Sequence, residues 1–243
     1  MDIYEALYTT RTMRRMRPDP IPLGTQSRIL DAAIRAPNGG NTQRWHFLVV
    51  DDPELKRQFA ELYRRGREFE HREFETGTMA LPAPGRDRAA YAETLRQVIR
   101  SGNYLADHFD EVPLLLFVFA IDDHGGANIF PAIWSALLAA RAEGVGGVMT
   151  TLLRYFPDTV NKLLGVPVEQ GWTMSAVVAF GYPLGRWGVA ANRHPVHEVS
   201  SRNHWGAPFG VTVPQPLWPS AAAAPEDYRR FVPATGKGTR DNF

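Results

Sequence analysis

The chain has 243 residues, 44% hydrophobic and 22% charged, the balance of a folded globular protein with one large domain or two small ones and a core of ordinary size. Its 27 basic and 26 acidic residues nearly cancel, which excludes a general attraction to nucleic acid or to anionic membranes and makes any anion site local. No cysteine is present, which excludes disulfides, thiolate catalysis and Cys-ligated metal centres.

The first residues, "MDIYEALYTTRTM", carry Asp2 and Glu5 and no apolar stretch of signal-peptide length. Ile29, Leu30, Ala33 and Ile34 fall at helical spacing, and Pro37 ends that helix. The run "WHFLVVDD" (45–52) predicts a buried strand, and Asp52-Pro53 then reads as cap plus first residue of a helix presenting Leu55, Phe59, Leu62 and Tyr63 on one face. Residues 64–90 are charged, then rich in Pro and Gly, and predict a mobile excursion rather than a core element. A helix is expected around 91–109, followed by a buried strand at 112–121. That strand's apolar run is about half the length a helix needs to cross a bilayer, so no membrane partner and a cytoplasmic location are expected. "NIFPAIWSALLAARAEG" (128–144) predicts a largely apolar helix closed by Gly144. A short helix near 158–164, a buried strand at 172–183 and an extended Pro- and Ala-rich arm from 206 to 243 complete the chain. The pattern predicts an α+β domain over 1–205, with one central sheet covered by helices.

Three stretches carry chemistry. In "RAPNGGNTQRW" (35–45), Gly39 and Gly40 let backbone N–H groups approach a ligand, while Asn41 and Gln43 offer donors and acceptors suited to a planar heterocycle. The same residues could simply end a helix and start a strand. "TTRTMRRMRPDP" (9–20) gathers Arg11, Arg14, Arg15 and Arg17 with Thr10 and Thr12, the forks and hydroxyls a phosphate needs, or else a solvated basic surface. "EGVGGVMTTL" (143–152) has the glycines of a dinucleotide fingerprint but follows a helix where that motif must follow a strand. His194, His197 and His204 lack a supporting carboxylate pattern, so no metal is expected; Ser135 lacks the glycines of a nucleophile elbow. "ADHFDE" (106–111) reads as a helix end, and nothing aromatic or groove-shaped accompanies the arginines to suggest nucleic acid.

Together these stretches resemble the FMN-dependent nitroreductase family. The family's basic N-terminal motif stands here as "TRTMRRMRPDPIP" (10–22), and its Ala-Pro-Ser-x-x-Asn-x-Gln-Pro-Trp motif as "APNGGNTQRWHFLVV" (36–50). Its glycine segment matches "GVGGVMTTL" (144–152), its later elements "LLGVP" (163–167) and "AFGYP" (179–183), and its basic residue before a Pro-Val pair Arg193. The chain departs from the family in Thr10, where an Arg is usual, in Asn38 for Ser and in Arg44 for Pro.

The resemblance implies a nitroreductase-like fold, mostly antiparallel in its sheet, in an intertwined homodimer with FMN at the subunit interface. It implies that Arg11, Thr12 and Arg193 hold the phosphate and that Arg14 lies near the ribityl chain or the C2 carbonyl. Asn38, Gly39 and Asn41 would contact the cofactor from the partner subunit, and the backbone at Gly146 and Gly147 would face N5 and the C4 carbonyl. The implied reaction is ping-pong, NAD(P)H giving hydride to flavin N5 and a nitroaromatic, quinone or similar oxidised aromatic accepting it, with no side-chain acid, base or nucleophile required. Phe69, Phe74 and Met79 would cover the substrate. Related scaffolds support reductive dehalogenation, activated-alkene reduction, dehydrogenation in peptide maturation or flavin breakdown, and a non-catalytic flavin-sequestering protein is the alternative outside the enzymes.

Overall fold

The computed structural model describes residues 1–75, 88–189 and 193–213. Contacts divide the described residues into two compact units, one within Thr12–Gly185 and a smaller one formed by Met1–Arg11 with the described residues from Arg186 to Val213. The division falls within the N-terminal basic motif and just after the last strand. In the smaller unit, helix α1 (Ile3–Thr9) starts at Asp2, whose carboxylate accepts the Glu5 N–H at 2.9 Å. Around residues 193–213, the His197 imidazole meets the Val213 backbone and Arg202 donates to the Phe209 carbonyl.

The larger unit is built on four antiparallel strands, β1 (Trp45–Val50), β2 (Leu114–Ala120), β3 (Gly146–Thr150) and β4 (Thr173–Gly181), in the order β1-β2-β4-β3. β2 is buried along its whole length, so its alternation serves two cores. Leu115, Phe117 and Phe119 join Phe59, Tyr63, Leu105 and Phe109, from α3 (Pro53–Glu75), α4 (Arg88–Asp107) and the turn after it. Leu114, Leu116 and Val118 join Ile29 and Ala33 of α2 (Leu23–Ala33) and Ile129, Ile133 and Ala136 of α5 (Ile129–Ala142). Each buried side chain of this size contributes about 1.5–3 kcal/mol, so the two faces of one strand anchor both helical layers. The short helix α6 (Pro157–Leu164) ends at left-handed Gly165. Among the described residues no helix is long and apolar enough to cross a membrane.

The α+β class and the antiparallel sheet agree with the sequence, and three local readings change. Residues 64–75 continue α3 and α4 begins at Arg88, so the described ends of the expected excursion are helix, while 76–87 lie outside the described residues. Arg64, Arg65, Glu68 and Arg72 point outward while Arg67 is buried and Gly66 lies against Leu152, where an added Cβ would meet the Leu152 carbonyl at 3.0 Å; the charged composition hid an amphipathic helix. β1 is half-exposed rather than buried because it stands at a sheet edge. The glycine segment forms β3, a strand that composition did not signal.

Candidate functional site

At one corner of the sheet, residues 12–17 lie against the glycine strand. Thr12 pairs with Gly147 of β3, and the Met13 N–H donates to the Gly147 carbonyl at 3.1 Å. The segment then turns along the end of β4, where the Arg17 N–H donates to the Tyr182 carbonyl at 2.8 Å and the Leu184 N–H to the Arg15 carbonyl at 3.0 Å. Glycine is required by this close approach. A Cβ on Gly146 would fall 2.9 Å from the Met13 Cβ, and one on Gly181 would fall 2.8 Å from the Met16 Cβ. Gly146 and Gly147 are themselves buried.

α4 holds the arginines from beside. The Arg14 guanidinium donates to the Ser101 hydroxyl at a long 3.5 Å, and Arg15 stacks over the Tyr104 ring at 4.7 Å. Arg14 is half-buried, and no carboxylate among the described residues pairs with it; burial lowers its pKa, an effect that the neighbouring Tyr63 opposes. Tyr63 stacks on Phe109 at 4.1 Å and shares a 3.2 Å hydrogen bond with the Thr150 hydroxyl at the end of β3. Its burial raises the phenol pKa, while Thr150, Arg14 and Arg67 favour the ionised form. Arg67 is buried, donates to Asn103 and to the Ile99 carbonyl at 3.0 Å each, and pairs with Glu70. Gly102 admits it, since a Cβ there would sit 2.7 Å from the guanidinium. A neutralised Arg67 and an unmatched Arg14 therefore stand side by side, and a half-buried cation without a counter-ion favours an anionic ligand.

The amide run lies elsewhere. Residues 39–41 form a single 3₁₀ turn before β1, with Gly40, Asn41 and Gln43 at φ values of 60°, 50° and 50°. Left-handed backbone is ordinary for Gly, tolerated by Asn and unfavourable for Gln. Asn38 closes the loop by accepting the Gln43 N–H at 2.9 Å, and the Gly39 N–H donates to the Asn128 side chain at 2.7 Å. The side chains of Asn41 and Gln43 are exposed. Gly39, Thr42, Arg44 and Trp45 form one wall of an open cavity of about 800 Å³, with Ile121, Asp122 and Asn128 opposite.

The register fixes how these two places relate. Trp45 faces Ala120, and Ala120 faces Thr173, so the amide loop stands at the Thr173 end of the sheet and on the β1 edge. Gly147 faces Phe180, at the other end and on the β3 edge. Three strand spacings of ~4.8 Å and seven residues of ~3.3 Å put the two corners more than ~20 Å apart, beyond the reach of a single three-ring ligand.

Of the residues singled out in the sequence, Thr12, Arg14, Gly146 and Gly147 are brought together at the first corner, and Asn38, Gly39 and Asn41 at the second. Arg11 and Arg193 belong to the smaller unit, where Arg11 donates to the Arg186 carbonyl at 2.8 Å, Arg193 is exposed and the hydroxyl of Thr10 is buried without a partner. Phe69 packs edge-on to Tyr155 at 5.7 Å as part of α3. Met79, the Phe74 side chain and the arm beyond 213 lie outside the described residues. Sequence reading missed Tyr63 as a polar group, together with Arg67, Ser101, Asn103, Asp123 and Asn128. For Tyr63 and Arg67 the available signal was their i,i+4 spacing on the buried face of α3.

The sequence pattern described as the nitroreductase family matches residues 7–182. The chain is 31% identical over 205 residues to a protein of Thermus thermophilus named NADH dehydrogenase, covering 82% of this chain and 95% of that protein. It is 30% identical over 203 residues to 5,6-dimethylbenzimidazole synthase of Rhodospirillum rubrum, covering 78% and 82%. The fold is similar to that of an FMN-dependent nitroreductase from Mycobacterium smegmatis solved in complex with NADPH, with a TM-score of 0.60, 22% identity and coverage of 83% and 97%.

Proposed function

This chain belongs to the nitroreductase family, and on that premise we propose that it binds FMN and carries reducing equivalents from NAD(P)H to a nitroaromatic, quinone or similar oxidised aromatic acceptor. The observation that carries the reading is Arg14, a half-buried guanidinium with no carboxylate partner among the described residues, beside the strand that Gly147 joins to Thr12. The residues fit the cofactor's chemistry. A half-buried cation with no carboxylate partner among the described residues suits its anionic or electron-rich edge, the exposed Thr12 hydroxyl suits a phosphate, and the exposed amides of Asn41 and Gln43 suit a ring bearing carbonyl and N–H groups. The family resemblance assigns phosphate contacts to Arg11 and Arg193 as well, and would set the Gly146 and Gly147 backbone nearest the reacting edge.

When bound, FMN supplies a two-electron carrier that accepts hydride from a reduced nicotinamide and passes it on to the acceptor. For a quinone the sum is one NAD(P)H and one proton consumed, with one hydroquinone and one NAD(P)⁺ formed. Arg14 stabilises negative charge that develops beside it, because in a partly dry site its field is weakly screened. Tyr63, whose phenol pKa burial raises, holds Thr150 and so the end of β3 in place through its hydroxyl.

We further propose a homodimer, because the two corners that a flavin needs are too far apart in one chain and a second copy supplies the missing one. α5 offers a surface for it: Trp134 is 41% exposed on a helix whose neighbouring Phe130, Leu137 and Leu138 are only partly buried. The NADH dehydrogenase name of one relative and the NADPH complex of a fold neighbour support a nicotinamide donor. The test is the visible spectrum of the purified protein under anaerobic NADH or NADPH. Bleaching of the yellow colour, and its return on adding a quinone, is the expected result; a protein that stays yellow is a flavin binder without this activity, and one that neither carries nor takes up FMN overturns the reading.

A further inference from the structure

The amide loop is exposed, yet it holds two non-glycine residues in left-handed backbone, and such strain persists only where neighbours over-determine it. Its internal bonds, Asn38 to Gln43 and the turns from Asn38 to Asn41 and from Gly39 to Thr42, close the loop on itself. Its far end is tied to the sheet, where the Gln43 carbonyl accepts the Trp45 N–H at 2.8 Å and the Arg44 carbonyl accepts the Ile121 N–H at 3.2 Å, while the hold on its Gly39 end comes from the residues that cap α5. Asp123 accepts the Asn128 backbone N–H at 2.8 Å and its side-chain NH₂ at 3.0 Å through one oxygen, and the Ile129 N–H at 3.2 Å through the other. That arrangement orients the Asn128 amide in only one way. With its NH₂ against the Asp123 carboxylate, its carbonyl is left for the Gly39 N–H at 2.7 Å; the flipped amide would set oxygen against carboxylate and NH₂ against N–H. The charged acceptor also polarises the amide and strengthens the bond on its far side.

We infer that Asn128, oriented by Asp123, is a positioning residue that holds the loop 38–43 in its ligand-ready conformation. Neither residue was singled out by the sequence, and neither reaches Asn41 or Gln43 directly; both act through Gly39. The inference rests on the proposed flavin site for its functional consequence, since that site assigns the loop a role in binding FMN. Its structural content is independent of the ligand. Loss of the Gly39 bond lets the loop relax to right-handed backbone, and binding must then restore the strained form.

The test uses the full-length protein freed of FMN, in wild-type, Asn128→Ala, Asp123→Ala and doubly substituted forms. Amide hydrogen exchange at Gly39 and Gln43 is measured without ligand, and FMN affinity is measured by quenching of flavin fluorescence. Each single substitution is expected to speed exchange at both amides and to weaken FMN binding about tenfold, the loss of one well-placed hydrogen bond. The double variant is expected to bind no worse than the weaker single one, because the two act in series. A role for Asp123 confined to capping α5 would lower thermal stability without moving loop exchange in the Asp123→Ala protein, and that result overturns the inference. So does unchanged exchange in Asn128→Ala. A wild-type protein that takes up no FMN sinks the proposed flavin site instead, and the exchange measurement then decides the inference alone.

Discussion

At the arginine corner, charged side chains lie partly inside the protein and the backbone beneath them is regular strand, whereas at the amide loop the side chains are exposed and the backbone is strained. On the proposed reading the first corner would bind through burial: no carboxylate among the described residues pairs with Arg14, so an incoming anion would meet a cation that water screens poorly. The second would bind through shape, because Gly40, Asn41 and Gln43 are held left-handed without a ligand. A half-site built on charge should fail when the charge goes. One built on conformation should fail when the backbone is freed, whatever side chain remains.

The largest effect is expected from Arg14→Gln, which removes the charge while keeping a donor. FMN affinity should fall about a hundredfold, near the ~2–3 kcal/mol of a charge-assisted contact, and Arg14→Lys should recover much of it; equal affinity in all three proteins would show that the corner does not work by charge. Gly146→Ala comes next. Its Cβ collides with Met13, so thermal melting should report a loss of about 1–3 kcal/mol; unchanged melting would mean that residues 12–17 yield easily. At the loop, Gln43→Gly relieves about 1 kcal/mol of left-handed strain and returns a similar amount through unfolded-chain entropy. Thermal stability should hold within about 0.5 kcal/mol while FMN affinity drops about fivefold, a separation that titration and melting together can detect.

The smallest expected effect is that of Tyr63→Phe, which should cost about 1 kcal/mol for its hydrogen bond to Thr150. Its sharper signature lies at alkaline pH. Burial raises the folded-state pKa of Tyr63, so the unfolded chain ionises first as pH rises. Stability is then at its full value below the ordinary tyrosine range and declines as pH climbs through it, and Tyr63→Phe should flatten that decline in denaturant titrations.

Much of this molecule was legible in its sequence where one local segment holds the whole signal. The two-faced β2 reads as an unbroken apolar run, Asp52-Pro53 marks the start of α3, and the arginine and amide clusters stand out against a nearly neutral chain. What stayed hidden joins distant residues. The Tyr63–Thr150 bond spans 87 positions, Arg67–Asn103 spans 36 and Gly39–Asn128 spans 89, and no local pattern specifies such partners. β3 was missed because two of its five residues are glycines, which depress strand propensity, and their reason is the Met13 and Phe180 side chains pressed against them. The end of α3 was missed because Arg64, Arg65, Glu68 and Arg72 dominate its composition while Tyr63, Gly66, Arg67 and Phe69 form its inward face.

The central claim is that one flavin is gripped by the arginine corner of one chain and the amide loop of another. It is tested most directly in a mixed dimer of two differently tagged variants, Arg14→Gln in one chain and Gly40→Val in the other, the latter because a β-branched residue cannot hold the 60° φ of that position. Sharing between chains predicts that the purified mixed dimer binds one FMN with wild-type affinity, since one of its two sites receives both intact halves, while each variant alone binds none tightly. A mixed dimer that binds no FMN tightly, as expected if each chain builds its own site, would contradict the account.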